Sequence, residues 1–347
     1  MNILVRVDAT ANSGSGHLIR CLSLASALIS ENINVEFIGN IELEQYKQLI
    51  TKHKIGYHHL PHLEEKLDAK QTLLYAKQIN ASLIIVDSYL LTEIWQKYFL
   101  KKLPLFAMED IPNRKHVCQL LLDPTISRKK QEYAELIPND CITLLGENYT
   151  LLRREFNELH KKIITNKKRP KAIVENILIF FGGTDPTGAT YQIAKALPLN
   201  YKITALLNPI SPAYSQVKRL TYICPHITLI DYCEDMANFM LKFDLIIGAP
   251  SSNSWERCCL GIPALTFTLA DNQKDIAKIM QKHGAAVNFG SVTASNIEQL
   301  IDTLQKLQQQ PSNLQAMSDN ATKLCDGLGA QRISKEIINY INLLSLN

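Results

Sequence analysis

The sequence predicts an α/β protein built from two doubly wound, Rossmann-like domains that face one cleft. Three observations support this fold class: the length of 347 residues, the alternation of short apolar runs with amphipathic stretches of helical length, and a similar opening in both halves. The length suits two domains of roughly 150 residues each. The alternation is typical of βαβ units in a parallel sheet, and each half opens with a strand, a glycine pair and a helix.

The first half begins with a buried strand, a helix and a second strand, which together start a βαβ pattern. These elements are Ile3–Val7, Leu18–Ser30 and Val35–Gly39, and further strands are predicted at Ser82–Val86, Pro104–Met108 and Val117–Leu122. The pattern then stops in a polar, basic stretch, His160–Asn176, which we interpret as the domain boundary. The first domain is predicted to span residues 1–165.

The second half restarts the same pattern and is predicted to form a domain over residues 166–347. Its strands are expected at Ile177–Phe181, Tyr201–Leu207, Ile227–Ile230, Asp244–Gly248 and Pro263–Thr268. Three helices then follow, at Ile297–Gln310, Leu314–Leu324 and Ile333–Leu344, without a third sheet. The last of them is a candidate for crossing back onto the first domain.

The composition fits a soluble globular protein and leaves anionic small molecules open as partners. Hydrophobic residues make up 46% of the chain and charged residues 20%, so a large core can be buried. The formal net charge of +4 is too small to indicate a nucleic-acid binder of this length. Neither a signal peptide nor an apolar run of about 18 residues is visible, so we expect a cytoplasmic protein without stable membrane insertion. We also expect a monomer.

Glycines are concentrated where predicted strands end. The chain has fourteen, and half of them lie in three segments that follow a strand and open or flank a helix: Gly14, Gly16, Gly182, Gly183, Gly188, Gly248 and Gly261. Glycine at such a turn allows positive φ and lets backbone N–H groups approach a ligand, so the segments predict phosphate cradles. Ordinary turns between a strand and a helix are the alternative for each segment.

His17 is the candidate general base of the first domain. It stands at the start of a predicted helix, where the helix dipole disfavours the imidazolium form, and a neutral imidazole can accept a proton. Asp8 ends the first strand, at the sheet edge where ligands bind, and either orients His17 or caps a turn. Capping the helix, or donating a hydrogen bond to a phosphate, are alternative roles for His17.

The second domain offers an anion site in the turn after Gly248. Ser251 and Ser252 make the start of the following helix rich in hydroxyl groups, which suits an anion. Glu256 lies one turn further on. A carboxylate at this position would repel a phosphate but could accept hydrogen bonds from the hydroxyls of a ribose, so ribose binding explains it better. A solvated glutamate in the first helical turn is the alternative. Asn272 and Gln273 follow the next strand, and their amides can bind sugar or phosphate oxygens.

We expect neither a metal nor a cofactor. Four histidines are close in sequence, but they straddle a predicted strand and the Pro61 turn rather than sharing one helix face: His53, His58, His59 and His62. The eight cysteines contain no C-x-x-C pair and are expected to be reduced, mostly buried thiols.

Several segments together resemble one family. They lie in order over roughly residues 1–290: Arg6–Asp8, Gly14–His17 with Arg20, Asp87–Tyr89, Gly146–Phe156, Phe181–Asp185, Ser252–Pro263 and Asp271–Gln273. This combination is similar to the UDP-sugar hydrolases of pseudaminic acid biosynthesis, which are relatives of the MurG-type glycosyltransferases with a GT-B fold. Pro250 and Ser251 stand where that family usually has glycines, and Ser13 replaces its usual apolar residue before Gly14.

The resemblance implies a GT-B fold and metal-independent hydrolysis of a UDP-linked 2,4-diacetamido-2,4,6-trideoxy hexose. Cleavage at the anomeric carbon would release UDP and a free sugar for the synthesis of pseudaminic acid, a nonulosonic acid. By the same resemblance the catalytic residues are His17, Tyr89 and Asp8, and Gly14, Gly16 and Arg20 line the sugar side. It places the diphosphate near Gly182, Gly183, Thr184, Ser251 and Ser252, the ribose on Glu256, and the uracil edge at Asp235 and Met236.

Two other function classes remain open at the level of sequence, because a fold does not fix a function. A glycosyltransferase would use the same nucleotide site with a sugar or lipid hydroxyl in place of water. It would require an apolar, basic membrane-facing patch, for which Trp95–Leu105 is the candidate. A regulatory module that binds a nucleotide sugar is the non-enzymatic alternative.

Overall fold

The computed structural model describes residues 1–10, 16–166 and 173–345. The chain divides into two compact units. Unit 1 consists of Met1–Arg154 together with Gly327–Asn347, and unit 2 consists of Glu155–Asp326.

Each unit contains one parallel β-sheet. In unit 1 the strands are β1 (Asn2–Val7), β2 (Asn34–Gly39), β3 (Gly56–His59), β4 (Ala81–Asp87), β5 (Leu105–Met108), β6 (Leu120–Asp123) and β7 (Ile142–Leu145). In unit 2 they are β8 (Asn176–Phe180), β9 (Lys202–Leu206), β10 (Ile227–Ile230), β11 (Leu245–Gly248), β12 (Ala264–Thr266) and β13 (Ala286–Asn288).

Helices connect most successive strands; the exceptions are β5 to β6, joined by a loop, and β6 to β7, joined by a segment with one short 3-10 turn at Lys130–Tyr133. Those before β8 are α1 (Gly16–Ser30), α2 (Glu44–Lys52), α3 (Glu65–Gln78), α4 (Glu93–Lys97) and α5 (Arg154–Asn166). Those after β8 are α6 (Ala189–Ala196), α7 (Tyr214–Ile223), α8 (Met236–Met240), α9 (Asn253–Cys259), α10 (Lys274–Lys282), α11 (Ala294–Gln309), α12 (Pro311–Leu324) and α13 (Gly329–Ser345).

The strand orders are those of doubly wound sheets, which confirms the predicted fold class. The order is β3-β2-β1-β4-β5-β6-β7 in unit 1 and β10-β9-β8-β11-β12-β13 in unit 2. In both sheets the strand order reverses between the first and the fourth strand of the unit. These strands are β1 and β4 in unit 1, and β8 and β11 in unit 2. Ligands of such sheets bind beyond the carboxyl ends of the strands at this switch point. The topology therefore gives each unit one expected ligand site.

The continuous apolar runs of the sequence form strands because helices cover both faces of each sheet. In β1 every residue from Ile3 to Val7 is buried. Alternate side chains enter different cores: Ile3 and Val5 pack on the face that carries α1, and Leu4 packs on the opposite face. The edge strands β7 and β13 were not predicted, because they are short and their side chains are only partly buried.

The division between the units precedes the predicted boundary at residues 165/166. Nearly all of α5 belongs to unit 2, where Phe156 is fully buried and His160 Nδ1 lies 2.7 Å from the carbonyl oxygen of Cys259. The last helix, α13, belongs to unit 1, because Ile333 and Ile337, one turn apart, pack in the same core as α1.

Candidate functional site

His17 and Asp87 meet at the switch point of unit 1. Asp87 is the last residue of β4, the strand beside β1, and His17 lies in the first turn of α1. His17 Nδ1 lies 2.6 Å from Asp87 Oδ1. The Asp87 carboxylate is completely buried, and the imidazole is largely shielded from solvent.

The charge of Asp87 decides which nitrogen of His17 carries the proton. Burial alone would raise the pKa of this carboxyl, but the Arg20 guanidinium and the hydrogen bonds from Arg20 and His17 lower it to about 2. A carboxylate only accepts hydrogen bonds, so the shorter 2.6 Å contact has His17 Nδ1 as its donor. Arg20 Nη2 also lies 3.0 Å from Nδ1, and it donates to the same oxygen of Asp87. The lone pair of the neutral ring is then on Nε2, the atom that a general base needs.

Arg20 connects this pair to a second carboxylate, Asp110. Arg20 donates to both oxygens of Asp87, with Nε at 2.6 Å from Oδ2, and its Nη1 lies 3.2 Å from Asp110 Oδ2. The Tyr89 hydroxyl donates to Asp110 at 2.5 Å, and its ring meets the edge of the His17 ring, with centroids 4.7 Å apart. Burial and then the hydrogen bond to Asp110 raise the pKa of Tyr89, so the phenol stays protonated.

Asp8 is engaged elsewhere, and Asp87 is the carboxylate on His17. Asp8 Oδ1 accepts a hydrogen bond from Arg6 Nη1 at 2.6 Å and from the backbone N–H of Asn40 at 2.8 Å. In the structure, the contacts of Asp8 are therefore those of a residue that stabilises a turn, which is the alternative role stated above for Asp8. Asp87 and Asp110 were not among the predicted site residues. The signal for Asp87 was present in the sequence, since it ends a buried strand as Asp8 does.

The charged side chains around His17 are unfavourable for a bound phosphate. Arg20 carries one positive charge, whereas Asp87 and Asp110 carry two negative charges. Leaving His17 aside, these three described side chains sum to one negative charge, which disfavours a diphosphate in contact with them. Gly16 starts α1 with open space in front of its Cα, and Gly14 lies outside the described residues.

In unit 2, Gly182, Gly183 and Thr184 lie at the switch point, between β8 and α6. Gly182 has φ +94°, a conformation that favours glycine, and a Cβ there would meet no atom within 4 Å. Gly183 and Thr184 are exposed. The backbone of this turn is therefore accessible to a ligand, as the phosphate cradle requires.

Asp185, the next residue, caps helix α6. Its Oδ2 accepts from the backbone N–H of Thr190 at 2.7 Å, and its Oδ1 accepts from that of Ala189 at 3.1 Å. Asp185 is fully buried with φ +35°, an uncommon backbone conformation for a residue with a side chain. Both carboxylate oxygens are thus used inside the fold.

The second predicted turn of unit 2 follows β11 at the same switch point. Ser252 is exposed, Ser251 is partly exposed, and Ser251 Oγ donates to Asn253 Oδ1 at 3.0 Å. Neither Pro250 nor Ser251 has positive φ, so the turn forms without the glycines usual in the resembling family. Glu256 lies one turn into α9 and is partly exposed.

The remaining predicted nucleotide residues have local structural contacts. Asp235 caps α8 by accepting from the backbone N–H of Asn238 at 3.1 Å, and Met236 is buried. Gln273 Oε1 accepts from the backbone N–H of Leu269 at 2.8 Å, which closes the loop after β12. The side chain of Asn272 lies outside the described part of the chain.

The histidines near residue 58 are occupied by local contacts. His53 Nδ1 lies 3.0 Å from Ser26 Oγ, His58 stacks on Tyr75, and His59 Nδ1 lies 3.1 Å from Tyr57. Among the residues that the structure describes, no group of three or more histidine, cysteine, aspartate or glutamate side chains is arranged to hold a metal ion. The eight cysteines are free thiols, and most of them are buried.

The segment Trp95–Leu105 contributes three large apolar side chains to the core of unit 1, whereas its Leu100 is exposed. Trp95 and Phe99 are completely buried, and Leu105 is nearly so. Over the described ranges, no helix combines the length and the apolar character that crossing a membrane requires.

Residues 155–337 match the family described as the glycosyltransferase family 28 C-terminal domain. The match covers all of unit 2 and reaches into α13.

Comparison with individual proteins gives three relatives. The chain is 25% identical over 301 residues to an uncharacterized protein of Methanocaldococcus jannaschii. The alignment covers 82% of this chain but only 60% of the length of that protein. It is 24% identical over 293 residues to the UDP-2,4-diacetamido-2,4,6-trideoxy-β-L-altropyranose hydrolase of Campylobacter jejuni, covering 83% of this chain and 99% of the hydrolase. The crystal structure of Acinetobacter baumannii MurG superposes with a TM-score of 0.66 at 16% identity, covering 98% of this chain and 100% of MurG. The last similarity establishes a GT-B fold.

Proposed function

The chain belongs to the family defined by the glycosyltransferase family 28 C-terminal domain, and from this premise we propose that it hydrolyses a UDP-sugar at the anomeric carbon. The proposed substrate is a UDP-linked 2,4-diacetamido-2,4,6-trideoxy hexose, and the products are UDP and the free sugar. The similarity to the Campylobacter jejuni hydrolase, over nearly the whole of that enzyme, supports this choice.

The observation that carries the proposal is the contact between His17 and Asp87. A buried carboxylate holds the imidazole by Nδ1 and leaves Nε2 free to accept a proton. In a glycosyltransferase acting on an alcohol, the same base would deprotonate the acceptor hydroxyl. Such a base supports transfer to an oxygen nucleophile, and the relative named as a hydrolase favours water as that nucleophile.

We propose the following chemistry for the hydrolysis. His17 Nε2 takes a proton from water as the water oxygen forms a bond to the anomeric carbon. The bond between that carbon and the UDP oxygen breaks, its electron pair stays on the β-phosphate oxygen, and His17 later returns its proton to solvent. UDP is a good leaving group, so backbone N–H groups that stabilise its charge can replace a protonated acid. A close carboxylate pair of the glycosidase kind is then unnecessary.

Tyr89 and Asp110 are proposed to position the reacting groups. The protonated Tyr89 phenol donates to Asp110, and its ring fixes the His17 ring from the side. Asp8 is proposed to act indirectly, because its contacts with Arg6 and Asn40 hold the segment after β1.

Unit 2 is proposed to bind the UDP moiety at its own switch point. The exposed turn Gly182–Thr184 and the turn that contains Ser251 and Ser252 supply backbone N–H groups and hydroxyls for the diphosphate. Glu256 is proposed to accept hydrogen bonds from the ribose hydroxyls. No metal ion is required in this arrangement, because N–H groups neutralise the diphosphate charge.

A glycosyltransferase is the second candidate, favoured by the family description and by the fold shared with MurG. Product analysis separates the two functions. The protein is incubated with UDP-linked diacetamido and acetamido hexoses without any acceptor, and UDP and free sugar are quantified, with His17→Ala as the control. Prompt release of both products by the wild type supports hydrolysis. Release only after an alcohol acceptor is added supports transfer, and binding without turnover contradicts both.

A further inference from the structure

Arg257 is a buried cation in the nucleotide half of the protein. It lies in α9, with a relative exposure of 3%, directly after Glu256. Its Nη2 donates to Ser254 Oγ at 2.6 Å and to the carbonyl oxygen of Ala249 at 3.2 Å. Its Nε and Nη1 are buried and have no hydrogen-bond partner in the described structure.

Among the described residues, no carboxylate forms a direct ion pair with Arg257, although the neighbouring Glu256 attracts it electrostatically. Burial outweighs this attraction and lowers the pKa of the guanidinium to about 10, so it remains charged at neutral pH. A buried charge is unfavourable unless hydrogen bonds or a directly paired opposite charge compensate for it. Two neutral acceptors compensate only partly, because two of the three guanidinium nitrogens remain unpaired.

The guanidinium lies directly under the turn that follows β11. A Cβ built on Gly248 would be 3.3 Å from Arg257 Nη1, which places that nitrogen against the end of the strand. Ser254 Oγ accepts from Arg257 and also from the backbone N–H of Ser251 at 3.2 Å. Arg257 thus holds the turn from Ala249 to Ser254 at both ends. This turn contains the serines proposed for the diphosphate.

The same contacts explain how this turn keeps its shape without glycine. Pro250 and Ser251 replace flexible residues, and the hydrogen bonds to Ala249 and Ser254 fix the segment that contains them. Ser251 is partly exposed and Ser252 is exposed, whereas Arg257 is buried, so the turn offers hydroxyl groups to solvent while the guanidinium stays inside.

We propose that Arg257 is a positioning residue that makes unit 2 select the anionic diphosphate of UDP over the neutral nucleoside. Its guanidinium fixes the turn from Ala249 to Ser254 and places a positive charge against it, and the diphosphate adds negative charge that the single neighbouring carboxylate, Glu256, does not supply by direct pairing. This inference rests on the proposed function, because it assigns the anion to the UDP site.

The test compares two ligands that differ only in the diphosphate. Calorimetry or ligand-observed NMR gives the dissociation constants of UDP and uridine for the full-length wild type, R257Q and R257K. Glutamine keeps N–H donors without charge, whereas lysine keeps the charge. Arg219→Gln removes an exposed charge from α7 of the same unit and is the matched control.

We expect the ratio of the uridine constant to the UDP constant to fall about tenfold in R257Q. The ratio should stay within about threefold of wild type in R257K and in the Arg219 control. A purely structural role would weaken both ligands and leave the ratio unchanged. An unchanged ratio in R257Q, or an equal fall in R257Q and R257K, overturns the proposal.

If R257Q fails to fold, R257M takes its place, because methionine keeps much of the length of the side chain without its charge. A tenfold fall of the ratio in R257M then supports the role of charge, and an unchanged ratio overturns it. A wild-type protein that binds neither UDP nor uridine would instead refute the proposed function. UDP binding by the wild type with an unchanged ratio in R257Q would refute only the role of Arg257.

Discussion

The Asp87 carboxylate lies 2.6 Å from Nδ1 of His17 and thereby fixes the tautomer of the imidazole. His17 presents Nε2 as its lone pair only while Asp87 is ionised and correctly placed. The proposed base is therefore a pair of residues rather than a single histidine, and both members can be tested separately.

Replacing His17 by alanine should abolish turnover and leave UDP affinity within a few-fold of wild type. Loss of a general base typically costs about 10² to 10⁴ in rate. UDP affinity should persist, because the proposed nucleotide residues all belong to unit 2. Steady-state kinetics and calorimetry measure the two effects. His62→Ala, which removes an exposed histidine from unit 1, is the control and should behave as wild type. Near-normal turnover in His17→Ala would refute the assigned role.

Replacing Asp87 by asparagine should lower kcat by at least about tenfold, with little change in UDP affinity. The asparagine amide can either accept a hydrogen bond from His17 Nδ1 or donate one to it, so it no longer enforces one tautomer of the imidazole. Rates are compared at saturating substrate, and circular dichroism checks the fold. A kcat equal to wild type would show that Asp87 does not control the base.

The low pKa of Asp87 also predicts how the stability of the protein depends on pH. Its value of about 2 in the folded state lies below the ordinary value of 3.8, so ionised Asp87 stabilises the fold above pH 4. This contribution, on the order of 2 kcal/mol, should be lost as the pH falls from 4 towards 2. Thermal unfolding followed between pH 6 and pH 2 should therefore show a smaller acid-induced decrease in Asp87→Asn than in wild type. Parallel curves would contradict the shifted pKa.

Replacing Glu256 by alanine should weaken UDP and the intact substrate together, by about tenfold or more. A hydrogen bond to a charged acceptor is worth roughly 1.5 to 3 kcal/mol. Glu298→Ala, at an exposed position of α11 in the same unit, is the matched control. If calorimetry shows an unchanged UDP affinity in Glu256→Ala, Glu256 does not bind the ribose, and the alternative of a solvated glutamate in the first helical turn holds.

Activity should survive exhaustive treatment with EDTA, with no stimulation by added Mg²⁺. Asp185 is the nearest carboxylate in sequence to the Gly182–Thr184 turn, and both of its oxygens accept backbone N–H groups of α6. Asp185→Ala should therefore destabilise the protein by about 0.5–2 kcal/mol, the usual cost of losing a helix cap. Thermal unfolding and the activity assay measure these effects. A rate that collapses on chelation and recovers with Mg²⁺ would instead make Asp185 a metal ligand.

Sequence by itself determined the features that depend on local patterns. Continuous apolar runs predicted the buried parallel strands, since strands covered on both faces have no polar side. Glycines after strands predicted the turns that we propose for ligand binding, and the start of α1 made His17 the candidate base. The edge strands β7 and β13 escaped prediction, because a short, half-exposed strand depends on its neighbour rather than on its own pattern.

Tertiary structure alone decided which partners these residues have. Asp8 and Asp87 each follow the apolar core of a strand, and the sequence gives no reason to prefer either as the partner of His17. Asp87 is 70 positions away from His17, and the adjacency of β1 and β4 brings it there, whereas Arg6 takes Asp8. The return of α13 to unit 1 and the burial of Arg257 have the same physical origin. Contacts between distant parts of the chain depend on how the sheets and helices pack, and local periodicity carries no information about that packing.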